Sequence, residues 1–195
     1  MKFALIGKIA GVLALTMGLA GCLDMTNDIY VTSDTTAKAT VTSVMSKDIY
    51  AMIKAGGESD EPFCVEAGST LTENADGSGT CVIVSEGNFA DLKFDDGGSK
   101  PVFTTNPDGT VRVAITTKDM MGDLGAESDP ETAAMMKTMF EGHFLTIRFG
   151  GAEIVGSNME AAADSNEYVE IKIPFLGLMD GTAELPEELY AVVRP

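Results

Sequence analysis

The chain has 195 residues, 45% of them hydrophobic, and a formal charge of −17 at neutral pH. This length suits one principal domain with a sizeable core, and the apolar content excludes a disordered polymer. Acidity of this degree argues against nucleic acid as a partner and against electrostatic attraction to anionic headgroups.

Lys2 and Lys8 supply a basic start, and Ile9 to Ala20 form an apolar run of the length of a secretory signal rather than a membrane span. The run ends in Leu19-Ala20-Gly21-Cys22, in which small residues precede a cysteine as in bacterial lipoprotein processing sites. Residues 1–21 are therefore expected to leave as a lipoprotein signal peptide. Cys22 is then the lipidation site, its thiol carrying diacylglycerol and the new amino terminus acylated by a fatty acid such as palmitate. Each buried methylene contributes about 0.8 kcal/mol, so two or more chains anchor durably. The expected partner is membrane lipid, reached through acylated Cys22; no protein partner can be named. Cleavage removes two lysines and leaves 11 basic against 30 acidic side chains, a net charge of −19. The expected address is exported and lipid-anchored to a bacterial membrane. Leu23 and Asp24 do not match the enterobacterial inner-membrane retention signal, so the periplasmic side of the outer membrane is one placement.

Residues 22–27 read as a short lipidated tether and 28–195 as a single α+β exported domain. Asp28 to Asp34 and Ala37 to Met45 alternate apolar and polar residues around the turn Ser33-Asp34-Thr35-Thr36, predicting a β-hairpin. Ser46 as N-cap, Asp48 in the first turn and a Met45–Tyr50 staple predict a helix that shows Ile49, Met52 and Ile53 on one face and stops at Gly56-Gly57. Residues 58–78 are rich in turn formers, and Thr80 to Ser85 read as a short buried strand or a helix start. Cys64 and Cys81 form an even pair in an exported chain, which predicts a disulfide; a metal site would need further ligands.

Val102 to Thr105 and Thr110 to Thr116 flank Asn106-Pro107-Asp108-Gly109, the clearest hairpin signal in the chain. Asp129-Pro130-Glu131 introduces a helix over 130–141, with Ala133, Met136 and Phe140 on one face beside Met135 and Met139. Leu145, Ile147 and Phe149 alternate in a strand predicted to turn at Gly150-Gly151 and return through Ile154 and Val155. Val169, Ile171, Ile173 and Phe175 repeat the alternation, and Leu189 to Val193 form a last strand. About seven hairpin-linked strands with two or three helices predict an α+β fold, a mostly antiparallel sheet with the helices packed on it as a two-layer sandwich.

The chemistry-bearing residues point away from catalysis. One histidine, His143, and no Gly-x-Ser-x-Gly elbow make a triad unsupported, and His143 shares parity with Leu145 and Ile147 as a histidine at the core edge. Phosphate-loop, dinucleotide and zinc-protease motifs are absent. Asp76-Gly77-Ser78-Gly79, Asp95-Asp96-Gly97-Gly98 and Asp108-Gly109 lack calcium-loop ligand spacing and read as turns. Met120-Met121 and Met135-Met136 with Met139 admit three readings: plain core, an adaptable ligand-contacting surface, or soft copper(I) ligation. No cofactor, metal or catalytic residue is expected.

The chain resembles the LppM-like lipoprotein domain of mycobacteria and other bacteria. The resemblance rests on Cys22, on Ser33-Asp34-Thr35 after the first strand, on Phe149-Gly150-Gly151 followed by Asn158, and on the Val169 to Phe175 strand. Gly150 stands where the family usually has proline. The resemblance implies a lipid-associated α+β domain with an apolar cavity and no established catalytic residues. Together these features predict a non-catalytic lipoprotein that binds a lipid or other amphiphile between Met135, Met136, Met139 and Phe140 on a helix and Leu145, Ile147, Val169 and Ile171 on strands. The competing expectation is an envelope scaffold or protein-interaction lipoprotein without a ligand pocket.

Overall fold

The first strand begins earlier than Asp28. In the computed structural model, which describes residues 23–56, 63–65, 68–92, 100–120, 134, 137 and 140–195, β1 spans Leu23–Val31. It pairs antiparallel with β2 (Thr36–Met45) at nine positions, from Leu23 opposite Met45 to Val31 opposite Ala37. The sheet thus starts at the first residue after Cys22, and the five-residue spacer expected before it is replaced by strand. The expected signal segment and Cys22 lie outside the described residues. The hairpin turn is closed by Ser33, whose hydroxyl oxygen accepts the Thr35 and Thr36 N–H groups at 3.2 and 3.0 Å.

Helix α1 (Lys47–Gly56) follows at once, with Asp48 in its first turn and Lys54 in its last, both favourable to the helix dipole. Tyr50 N–H donates to the Ser46 carbonyl at 2.9 Å. Tyr50 is the side chain α1 buries, and its ring lies where a Cβ on Gly79 would come within 2.6 Å, so position 79 accepts only glycine without a shift of that ring.

The stretch that sequence left unassigned contains a second hairpin. β3 (Ser69–Glu73) turns through Asn74–Ser78 into β4 (Gly79–Asn88), which pairs along the whole of β2. Cys64 is bonded to Cys81 on β4, with Cα atoms 5.5 Å apart, so the predicted disulfide pins the loop before β3 to the sheet. β5 (Val102–Thr105) and β6 (Val111–Thr116) form the expected hairpin. Of the three Asp-Gly segments weighed as calcium loops, the two within the described residues are turns. Asp76 Oδ1 accepts the Ser78 N–H and hydroxyl, and Asp108 Oδ1 accepts those of Thr110, at 2.7 to 3.1 Å. These bonds hold both carboxyls below the ordinary aspartate range. Asp95 to Gly98 lie outside the described residues.

After a single 3₁₀ turn at Lys118–Met120, helical residues are described at 134, 137 and 140; Ala133, Met121, Met135, Met136 and Met139 lie outside the described residues. β7 (Phe144–Gly150) is the strand predicted from Leu145, Ile147 and Phe149. β8 (Glu153–Ser157) does not fold back on it. Gly150-Gly151 instead carries the chain from one sheet to the other, where β8 pairs with β11 (Glu188–Arg194). A Cβ on Gly150 would meet the Tyr168 ring at 2.7 Å, and one on Gly151 would meet the Arg194 carbonyl at 2.9 Å. The glycines permit a close crossing rather than a tight hairpin turn. β9 (Glu160–Ala161), β10 (Tyr168–Pro174) and the short helix α2 (Phe175–Met179) complete the elements, so Phe175 opens a helix instead of ending the strand.

The larger sheet runs β3-β4-β2-β1-β7-β10-β9 and the smaller β5-β6-β11-β8. Every pairing is antiparallel except β1 with β7. Ile29, Val31, Ile147, Phe149 and Ile173 from the larger sheet share one core with Val111, Val113, Leu189, Ala191 and Val193 from the smaller. The fold is mostly antiparallel sheet with few helices. Among the described residues the smaller sheet supplies the facing side of that core, and most of the helix expected over 130–141 lies outside the described residues. A second sheet presents a row of inward side chains every other residue and fills such a face as well as a helix does.

Candidate functional site

Register brings the strand residues of the expected site together. Leu145, Ile147 and Phe149 stand opposite Ile173, Ile171 and Val169 on β10, and Met25, Asn27 and Ile29 flank them on β1, all on one face. Burial then divides the set. Ile147 at 1% exposure and Val169 at 5% sit in the shared core, whereas Leu145 and Ile171 are half-buried at its margin. Phe140 is half-buried, with its ring 5.4 Å from that of Phe175, which also packs against the core margin. Met135, Met136 and Met139 lie outside the described residues. The described part of the expected site is thus an apolar margin of Phe140, Leu145, Ile171 and Phe175 beside a filled interior.

The opposite face of the same strands is polar, and sequence analysis did not single it out. Arg148 lies across from Asp28 on β1 and Glu170 on β10. Its Nη2 is 2.7 Å from Asp164 Oδ1, while Nε is 3.5 Å from Asp28 Oδ1 and 3.6 Å from Glu170 Oε2. The guanidinium stacks 4.5 Å above the Tyr168 ring. Burial pushes the Asp28 carboxyl above the usual range, with Arg148 opposing and Asp164 and Glu170 reinforcing the shift. Lys172 Nζ is 3.4 Å from Glu170, and an open hollow of ≈ 330 Å³ lies over the group, lined also by Thr26 and Thr146. Three carboxylates surround the one guanidinium, and the Asp28–Arg148 pair spans the parallel strands β1 and β7. Alternation of Thr146 and Arg148 with the apolar residues of β7 placed Arg148 on this face; its partners depend on pairings that sequence does not state.

His143 precedes β7 with its side chain 17% exposed, and its Nδ1 lies 3.4 Å from Asp24 Oδ1 without forming a hydrogen bond. That oxygen accepts the Phe144 N–H at 3.0 Å. The histidine is at the core edge, as its parity predicts. A second open hollow, ≈ 560 Å³, lies between α1 and the β3–β4 turn, lined by Lys47, Tyr50, Lys54 and Glu73 among others. Two of these lining residues, Lys54 and Glu73, form a 2.7 Å ion pair. Neither hollow contains a residue of the expected apolar site. No described helix is long and apolar enough to cross a membrane.

No family model matches the chain, and no curated protein matches it. The folded domain of Mycobacterium tuberculosis LppM, solved by NMR, is similar to it at 14% sequence identity and a TM-score of 0.49, over 90% of this chain and 91% of that one.

Proposed function

We propose that the protein is an exported lipoprotein, anchored to a bacterial membrane by acylated Cys22, whose domain is non-catalytic and contacts a lipid or other amphiphile along the margin of Phe140, Leu145, Ile171 and Phe175. The observation that carries the reading is the sequence Leu19-Ala20-Gly21-Cys22 after a basic and apolar leader, immediately before the first strand. The margin supports the ligand: its side chains are apolar and only partly covered. Ile147 and Val169 contribute by packing beneath that margin and take no part in contacting the ligand.

A fatty-acid analogue fed to cells should label the wild-type protein and leave Cys22→Ala unlabelled and unprocessed. Labelling that survives the substitution removes the anchor. For the ligand, native protein should copurify with lipid detectable by mass spectrometry, and Ile171→Glu should lower the amount by putting charge on the apolar margin.

The scaffold reading is favoured by a different observation. Exposed apolar side chains occur on three edge strands, Leu71 on β3, Val102 on β5 and Val155 on β8, at 45, 62 and 51% exposure. Open edges with apolar side chains are natural sites for strand addition by a partner protein. Lipid-free native protein that binds no fluorescent fatty acid would select this reading.

A further inference from the structure

Because β1 starts at Leu23, the sheet leaves almost no chain between itself and the lipidated residue. Consecutive Cα atoms are about 3.8 Å apart, so the Cα of Cys22 lies that close to a residue already paired with Met45. Neighbouring strands are about 4.8 Å apart, which puts Met45, Phe144 and the more distant Pro174 within roughly 10 Å of Leu23 across the end of the sheet. Asp24 fixes the join on the β7 side by accepting the Phe144 N–H. Attachment at Cys22 therefore positions this end of the domain as a body, with no linker to let it swing.

That end is apolar. Phe144 is 39% exposed, Pro174 stands opposite it in the register and is exposed, and Leu23 and Met45 are half-buried. The other end of the same strands is polar. There the Ser33-Asp34-Thr35 turn meets the β5–β6 hairpin, with the Thr105 hydroxyl donating to the Asp34 carbonyl at 2.7 Å. The ten residues of β2 separate the two ends by about 30 Å at ~3.3 Å per residue. Acyl chains on Cys22 must enter the bilayer, and apolar side chains beside an anchor settle at the boundary of headgroups and acyl chains.

We infer that the end of the larger sheet bearing Leu23, Met45, Phe144 and Pro174 is a membrane-contacting rim, seated among phospholipid acyl chains so that the strands stand upright from the bilayer. This rests on the lipoprotein reading and adds an orientation that lipidation alone does not impose. The rim is apolar rather than basic, so neutral phosphatidylcholine suffices as the partner.

The chain contains no tryptophan, so single-tryptophan variants report position without background. Lipidated protein carrying Phe144→Trp, Pro174→Trp or Asp34→Trp would be reconstituted into vesicles of phosphatidylcholine brominated on one acyl chain and isolated by flotation. Both rim tryptophans should be quenched and blue-shifted relative to the same vesicles without bromine, and Asp34→Trp should be unaffected. If Phe144→Trp fails to fold, Pro174→Trp carries the same reading. Floating protein whose rim tryptophans are unquenched, or quenched no more than Asp34→Trp, overturns the rim and leaves the anchor standing. Protein that fails to float overturns the anchor and the rim together.

Discussion

Substituting Ile147 by alanine separates a filled interior from an open lipid cavity. Its side chain is 1% exposed, faces Ile171 and Asn27 in the register, and belongs to the core cluster supplied by both sheets. Deleting buried methylenes removes about 0.8 kcal/mol of transfer energy each, and a cavity term adds to it when surrounding atoms cannot close in. Strands held by hydrogen bonds on both sides, as β7 is by β1 and β10, have little freedom to close in. The expected cost is about 3 kcal/mol, within the ~2–5 kcal/mol range of such truncations. For a domain of this size that corresponds to a fall in Tm of roughly 6 to 12 °C. Urea unfolding of the mature protein with its disulfide intact, wild type against Ile147→Ala at equal slope, gives the value directly. A residue lining an open, lipid-filled space would lose no packing on one side, and its truncation would cost far less. A measured cost below about 1 kcal/mol would therefore refute the filled interior.

Replacing both Cys64 and Cys81 by serine should lower stability by about 3 kcal/mol, the chain-entropy value for a loop of this size, and a non-reduced digest of native protein should contain the two cysteines in one linked peptide pair. Two freely alkylated thiols would contradict it. Gly151→Ala puts a methyl 2.9 Å from Val193 Cβ and from the Arg194 carbonyl, so it should cost about 1–3 kcal/mol by overpacking, whereas Gly156→Ala, where nothing lies within 4 Å, should be nearly neutral; equal unfolding midpoints for the two would contradict the close crossing. Asp28 has its folded-state pKa raised by burial, so its ionisation opposes folding, and that penalty disappears as pH falls through its folded pKa toward the ordinary carboxylate value. Asp28→Asn should accordingly raise stability at neutral pH by up to about 1 kcal/mol, with the advantage shrinking as the solution is acidified. Loss of stability at neutral pH would mean that the Arg148 contact outweighs the burial.

Local elements were legible where short-range chemistry decides them. The β1–β2 and β5–β6 hairpins follow from period-two alternation around turns whose residues satisfy their own backbone, as Ser33 and Asp108 do. Helix α1 follows from its cap, its first-turn aspartate and its terminal glycine. β3 escaped because Ser69-Thr70-Leu71-Thr72-Glu73 offers one apolar side chain, and an edge strand with both faces largely exposed needs no more. Of the expected apolar site, sequence placed Leu145, Ile147, Val169 and Ile171 correctly on faces that the register unites. Alternation states that a face is apolar and leaves open what covers it.

Only the tertiary structure decided the cover. Two glycines in succession read equally well as a hairpin turn or as a place where backbones pass closely, and the contacts of Gly150 with Tyr168 and Gly151 with Val193 select the second. That choice sends β8 to the other sheet, leaves β7 free to pair in parallel with β1, and sets Arg148 between Asp28 and Glu170. Parallel pairing joins residues about 120 apart in the chain and has no local turn to announce it. The expected lipid signal, by contrast, is written contiguously over residues 1–22, and reading it requires no fold. What the fold adds is the start of β1 at Leu23, directly after the cysteine that ends that segment.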